Sequence, residues 1–175
     1  MPRKVIFLDR DGVINHEVGY LHKIEDFKFI DGVFEACLAF QSSGYQIVVI
    51  TNQSGIGRGY YGEQEFHQVN DWMLAQFNAQ GIDVLDVFFC PHGPEDGCSC
   101  RKPKPGMLLT AQEKHDIDMS QSWMVGDKEA DVTAANAAGI NNTILVKSGH
   151  DIDEESSNAK YVLDSIKQTQ TVITN

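Results

Sequence analysis

The chain has 175 residues, enough for one domain with a substantial core. Its formal net charge of −11 argues against nucleic acid or an anionic membrane surface as the main partner. No apolar run approaches the ~18 residues of a membrane span. Met1-Pro2-Arg3-Lys4 leads straight into the first predicted strand, so no secretory leader is expected and a cytoplasmic, monomeric chain is. Cys90, Cys98 and Cys100 crowd together while Cys37 stands apart in a helical pattern, which suits metal binding in a reduced protein better than disulfides.

Val5–Leu8 is a continuous apolar run of the kind buried on both faces of a sheet, and it stops at Asp9 and Asp11, followed by Gly12. Residues 15–31 read as a loop carrying Glu17, Val18, Gly19 and Tyr20. Residues 32–43 predict a helix with Val33, Phe34, Cys37, Leu38 and Phe40 near helical spacing, stopped by Gly44. A second strand over 46–50 ends in Thr51-Asn52-Gln53-Ser54-Gly55. An amphipathic helix over 63–80 (Phe66, Val69, Met73, Phe77) closes at Gly81. A third strand over 84–89 runs into the cysteine-rich loop, and a short helix covers 106–115. A fourth strand over 123–125 precedes Gly126-Asp127-Lys128. An Ala-rich helix over 129–138, a fifth strand over 143–146, an edge strand over 161–163 and a weak final helix complete the pattern. This alternation predicts a doubly wound parallel sheet with helices on both faces, spanning residues 1–175 as one domain. Each conspicuous polar group falls just past a strand, where open α/β sheets bind their ligands.

Two carboxylates one residue apart repel unless a cation lies between them, and a hard divalent ion such as Mg2+ resolves that conflict. Asp-x-Asp-Gly by itself also describes an ordinary turn, as Asp127 also describes a helix cap. Thr51 and the backbone N–H groups after it offer neutral donors for phosphate oxygens, and Arg101 and Lys102 supply local positive charge. Cys90, His92, Cys98 and Cys100 form two ligand pairs that match a closed tetrahedral zinc site. Such a zinc is structural rather than catalytic, because four protein ligands leave no open position.

Asp-x-Asp, Thr, Lys and Asp in this order, each after a buried strand, resemble the four signatures of the haloacid dehalogenase superfamily from Val5 to about Val146. The resemblance implies a Rossmann-like fold in which Asp9 is the nucleophile, Asp11 the acid/base, and Thr51 and Lys102 stabilise the transferring phosphoryl group. Mg2+ would be held by Asp9, the backbone carbonyl of Asp11, and Asp127. Val13 departs from the pattern, since many relatives carry Thr there. The zinc loop, together with Thr-Asn-Gln-Ser-Gly-Ile, Cys-Arg-Lys-Pro-Lys-Pro-Gly and Met-Val-Gly-Asp-Lys, resembles the D,D-heptose 1,7-bisphosphate phosphatase family. The related histidinol-phosphate phosphatases share much of it. That resemblance implies a capless enzyme acting on a small-molecule sugar bisphosphate in carbohydrate or lipopolysaccharide synthesis. Arg10, Glu17, Val18, Gly19, Tyr20, Asn52, Gln53, Ser54, Arg101 and Lys128 are its implied substrate contacts. A histidinol-phosphate or broader sugar-phosphate phosphatase, and a non-catalytic zinc-stabilised binding domain, are the alternatives.

Overall fold

The computed structural model describes residues 2–173. Strands β1 (Val5–Leu8), β2 (Gln46–Asn52), β3 (Val84–Cys90), β4 (Trp123–Gly126), β5 (Asn142–Val146) and β6 (Tyr161–Leu163) form one parallel sheet in the order β3-β2-β1-β4-β5-β6. The helices are α1 (Val33–Ser42), α2 (Ser54–Gly57), α3 (Glu63–Ala79), α4 (Gly106–His115) and α5 (Glu129–Ala137). Successive side chains of a strand point to opposite faces. Ile6 and Leu8 of β1 therefore pack with Phe40, Met73 and Phe77 on one side of the sheet. Val5 and Phe7 pack with Leu108, Ala111, Ala134 and Ala135 on the other. Covering both faces is what a continuous apolar strand requires, and each such side chain contributes ~1.5–3 kcal/mol on burial.

The chain winds outward from β1 through β2 to β3, then crosses to the far side of β1 and continues through β4, β5 and β6. The direction reverses between β1 and β4, and the crevice beyond the carboxyl ends of those two strands is where such sheets hold ligands. The Asp9 N–H donates to the Val125 carbonyl at 3.0 Å, extending the pairing one residue past β1 and anchoring the loop that follows.

Three elements differ from the sequence expectation. β2 continues through Thr51 and Asn52, which pair with Phe89 and Cys90, so these residues sit in the sheet rather than in a turn. Ser54–Gly57 closes into a short helix. The final element, Ile166–Thr171, is a 3-10 turn; its β-branched threonines disfavour a longer α-helix, and Ile166 and Thr169 anchor it by burial. Cys37 is buried in the core. Among the described residues, no helix is long and apolar enough to cross a membrane.

Candidate active site

β1 and β4 each deliver a carboxylate to the crevice, Asp9 and Asp127. A third, Asp131 in the first turn of α5, accepts the N–H groups of Asp127 and Lys128 through Oδ2 at 3.1 Å each. Its Oδ1 lies 2.6 Å from Lys102 Nζ. Lys102 is also 3.0 Å from Asp9 Oδ1 and donates to the Ile50 carbonyl at 3.0 Å. Burial alone would lower the Lys102 pKa, but the Asp131 and Asp9 carboxylates outweigh it and raise it, so the ammonium stays charged. Burial pushes the Asp9 pKa well up, and the charges of Asp131 and Asp127 add to this against the pull of Lys102. Burial and the Asp131 charge raise Asp127 to about 6.

Ligand oxygens of Asp9, Asp127 and Asp131 all lie within 4.8 Å of one another. The buried Asp127 Oδ1 has no hydrogen-bond partner among the described residues. Three carboxylates face one ammonium, an excess of two negative charges, and a hard divalent cation on oxygen ligands answers both facts. The donor set therefore fits Mg2+. The close approach also dictates two glycines. A Cβ on Gly12, whose φ is +90°, would fall 2.2 Å from Asp127 Oδ2, and one on Gly126 would fall 2.3 Å from the Asp131 side chain.

Asp11 is held apart from this cluster. Its carboxylate accepts from Arg10 Nε and Nη2 (3.3 and 3.1 Å), Asn15 Nδ2 (3.0 Å) and Gln53 Nε2 (3.2 Å). The Gln53 amide also donates to Thr51 Oγ1 at 2.8 Å and accepts from the Tyr61 hydroxyl at 2.5 Å. One amide thus links Asp11 to Thr51. Arg10 is 1 % exposed, with its guanidinium about 6 Å from the ring centres of Phe27 and Phe66. Its side chain faces inward onto Asp11 rather than into the cleft. Burial of this cation is tolerable because Asp11 pairs with it.

Two adjoining cavities open over these groups. The inner one, about 70 Å³, is lined by Asp9, Asp11, Glu17, Asn52, Lys102, Asp127, Lys128 and Asp131. The outer one, about 340 Å³, adds Gly19, Tyr20, Gln53, Ser54 and Arg101. Val18 is exposed outside both, and Thr51 is fully buried behind Gln53. His150, which no sequence pattern singled out, lines both cavities; its Nδ1 lies 2.5 Å from Asp127 Oδ2 and its Nε2 3.9 Å from Glu17 Oε2. Asn15 and Tyr61 carried no sequence signal either, because each acts only by orienting a neighbour, Asp11 and Gln53.

Beyond β3, Cys90 Sγ lies 3.6 Å from Cys98 Sγ, 2.8 Å from Cys100 Sγ and 3.5 Å from His92 Nδ1, and Cys100 Sγ is 3.4 Å from His92 Nδ1. A tetrahedral shell with bonds of ~2.3 Å to sulfur sets neighbouring ligands roughly 3.4–3.8 Å apart, which three of these four distances match; the Cys90–Cys100 pair lies closer, and the donor set is that of a structural zinc site. Hydrogen bonds from the Arg101 backbone and Cys100 pull the Cys98 thiol down to about 6, while burial holds Cys90 and Cys100 up, so Cys98 is the thiolate of the metal-free cluster.

Residues 99–169 match the model of the HAD-hydrolase-like family. Over 175 residues the chain is 48 % identical to D-glycero-beta-D-manno-heptose-1,7-bisphosphate 7-phosphatase of Vibrio cholerae, covering 95 % of this chain and 94 % of that one. It is 47 % identical over 163 residues to the D-glycero-alpha-D-manno-heptose-1,7-bisphosphate 7-phosphatase of Photorhabdus laumondii, covering 89 % of each. The crystal structure of D,D-heptose 1,7-bisphosphate phosphatase from B. bronchiseptica, complexed with magnesium and phosphate, superposes with a TM-score of 0.84 at 30 % identity, covering 96 % of each chain. Similarity of this order along nearly the whole length, in a sheet whose β1 and β4 carry Asp9 and Asp127 to one crevice, means that the chain belongs to the heptose-1,7-bisphosphate 7-phosphatase family of haloacid dehalogenase-like hydrolases.

Proposed function

We propose that this protein is an Mg2+-dependent phosphatase that removes the 7-phosphate of D-glycero-D-manno-heptose 1,7-bisphosphate, leaving heptose 1-phosphate for carbohydrate and lipopolysaccharide synthesis. The observation that carries this reading is the buried Lys102–Asp9 pair at 3.0 Å beside the clamped Asp11, at the floor of a cleft that widens outward. A phosphoryl group fits the small inner cavity, and a seven-carbon sugar needs the larger outer one.

Mg2+ would be held by Asp9, Asp127 and the Asp11 backbone carbonyl, where it supplies charge neutralisation for the phosphoryl oxygens. An Asp9 carboxylate oxygen attacks phosphorus, the bond from phosphorus to O7 of the sugar breaks, and Asp11 gives its proton to that oxygen. The aspartyl-phosphate on Asp9 is then attacked by water; Asp11 takes the water proton, inorganic phosphate leaves, and Asp9 is restored. Lys102 offsets charge on the transferring group throughout, while Thr51, whose O–H donates to the Asn52 carbonyl at 3.4 Å, holds the Gln53 amide that also reaches Asp11. Cys90, His92, Cys98 and Cys100 would hold zinc, pinning the loop that carries Arg101 and Lys102. Catalytic efficiency on heptose 1,7-bisphosphate against histidinol phosphate tests the reading. The bisphosphate should be preferred by orders of magnitude, and Asp9→Asn should abolish turnover while leaving the fold intact. Preference for histidinol phosphate would overturn the substrate, and an active Asp9→Asn the covalent route.

A further inference from the structure

Ser148, Gly149 and His150 leave β5 and fold back over the crevice. The Lys147 N–H donates to the Leu163 carbonyl at 3.0 Å, which keeps the start of this loop in the sheet. The Ser148 hydroxyl donates to the Gly12 carbonyl at 2.7 Å and ties the loop to the turn after β1. A Cβ on Gly149 would fall 2.2 Å from Asp127 Oδ2 and 2.8 Å from the Gly12 Cα, so only a glycine lets the backbone come this close. The next residue then meets Asp127 twice. His150 donates its backbone N–H to Oδ2 at 3.2 Å, and its Nδ1 lies 2.5 Å from the same oxygen.

The two oxygens of Asp127 are thereby treated differently. A carboxylate accepts, so Nδ1 carries the hydrogen, in a neutral imidazole as in a protonated one. Both His150 donors converge on Oδ2, while the buried Oδ1 has no hydrogen-bond partner among the described residues. A buried carboxylate oxygen without a donor costs free energy unless a cation meets it. Carboxylates that ligate metals are themselves held by hydrogen bonds from a surrounding layer, and losing such a partner weakens the metal by about ten- to a hundredfold. The other ring nitrogen, Nε2, lies 3.9 Å from Glu17 Oε2, beyond hydrogen-bond distance, so within the described residues the ring is anchored by Asp127.

We infer that His150 is a positioning residue: it fixes the Asp127 carboxylate through Oδ2 so that Oδ1 is offered to the divalent cation. This deepens the proposed function and rests on its Mg2+ reading. The experiment titrates Mg2+ by calorimetry into Mg2+-free wild type, His150→Ala and His150→Asn at pH 7.5, with no substrate present. His150→Ala should raise the Kd for Mg2+ roughly ten- to a hundredfold; the backbone N–H still reaches Oδ2, so binding is weakened rather than abolished. His150→Asn, whose amide nitrogen can stand where Nδ1 stands, should return the Kd to within about fivefold of wild type. A far-UV circular dichroism spectrum like that of wild type shows that each variant is folded. If His150→Ala does not fold, His150→Phe, which keeps the bulk of the ring and lacks the donor, replaces it. The Mg2+ concentration for half-maximal turnover should shift by the same factor as Kd. An unchanged Kd in the variant without the donor, or a loss that His150→Asn does not recover, would overturn the inference alone. So would a raised KM with an unchanged Kd, which would make His150 a substrate contact. A wild-type protein that binds no Mg2+ would overturn it together with the reading beneath it.

Discussion

The Lys102 ammonium lies 2.6 Å from the Asp131 carboxylate, nearer than it lies to Asp9. Asp131 thus has two tasks: one oxygen steers Lys102, and the other holds the N–H groups of Asp127 and Lys128. Asp131→Asn separates them, because the amide oxygen still accepts the N–H groups while the amide NH2 faces the ammonium. Losing a charge-assisted contact of ~1.5–3 kcal/mol should lower kcat about ten- to a hundredfold with little change in KM. Steady-state kinetics check this, and a kcat within a factor of three of wild type would show that Asp9 and the Ile50 carbonyl position Lys102 unaided.

Tyr61 controls the opposite side of the cleft. Burial raises its hydroxyl to about 12, so it remains a donor to the Gln53 carbonyl across the working pH range. That bond decides which end of the amide faces Asp11 and Thr51. Tyr61→Phe keeps the ring and deletes the donor, leaving Gln53 free to turn over. We expect kcat to fall roughly five- to fiftyfold on a sugar phosphate, whose poor leaving group needs the Asp11 proton, and less on p-nitrophenyl phosphate, whose leaving group does not. Equal losses on both would reduce Tyr61 to packing.

Asp127 links metal-free stability to pH. Its folded pKa of about 6 exceeds the ordinary carboxylate value of ~3.9, so the folded state binds the proton more tightly than the unfolded chain. The resulting stability is fully present below that ordinary value and is lost as pH rises through about 6, a change of roughly 2–3 kcal/mol. Urea midpoints of metal-free wild type should therefore fall, relative to those of Asp127→Asn, between pH 4.5 and 7.5. Adding Mg2+ at pH 7.5 should restore the wild type and leave the variant unmoved. Parallel pH curves for the two proteins would refute this account.

The cysteine-rich loop predicts a metal content. Zinc should co-purify at about one per chain and resist brief chelation, and His92→Ala should lose it. With the loop released, Arg101 loses its bond to the His92 carbonyl and its fixed place at the outer cavity. The midpoint of thermal unfolding should drop by ~2–4 °C for each kcal/mol lost, and KM for the bisphosphate should rise more than kcat falls. Elemental analysis that finds no zinc in fresh, active protein would reject the site.

Local pattern determined a great deal of this protein. A strand buried on both faces must be a continuous apolar run, so β1 was legible residue by residue, β4 and β5 to within one residue, and β2 as far as Ile50. The alternation with amphipathic helices then required a parallel sheet, and Asp9 and Asp127 are local features at the ends of β1 and β4, with the Cys/His ligands and Lys102 between the end of β3 and α4. Which side chains face one another was not local. The pairing of Lys102 with Asp131 and of His150 with Asp127 joins segments well separated in the chain, and that of Tyr61 with Gln53 closes across α2. Arg10 reads as a cation next to the nucleophile, yet it turns inward because Phe27, Phe66 and Asp11 form its pocket there. Thr51 reads as an open phosphate donor, yet the extension of β2 opposite Phe89 buries it behind Gln53. Strand order brings these loops to one crevice, and strand order follows from how the helices cover both faces of the sheet, which only the packed structure decides.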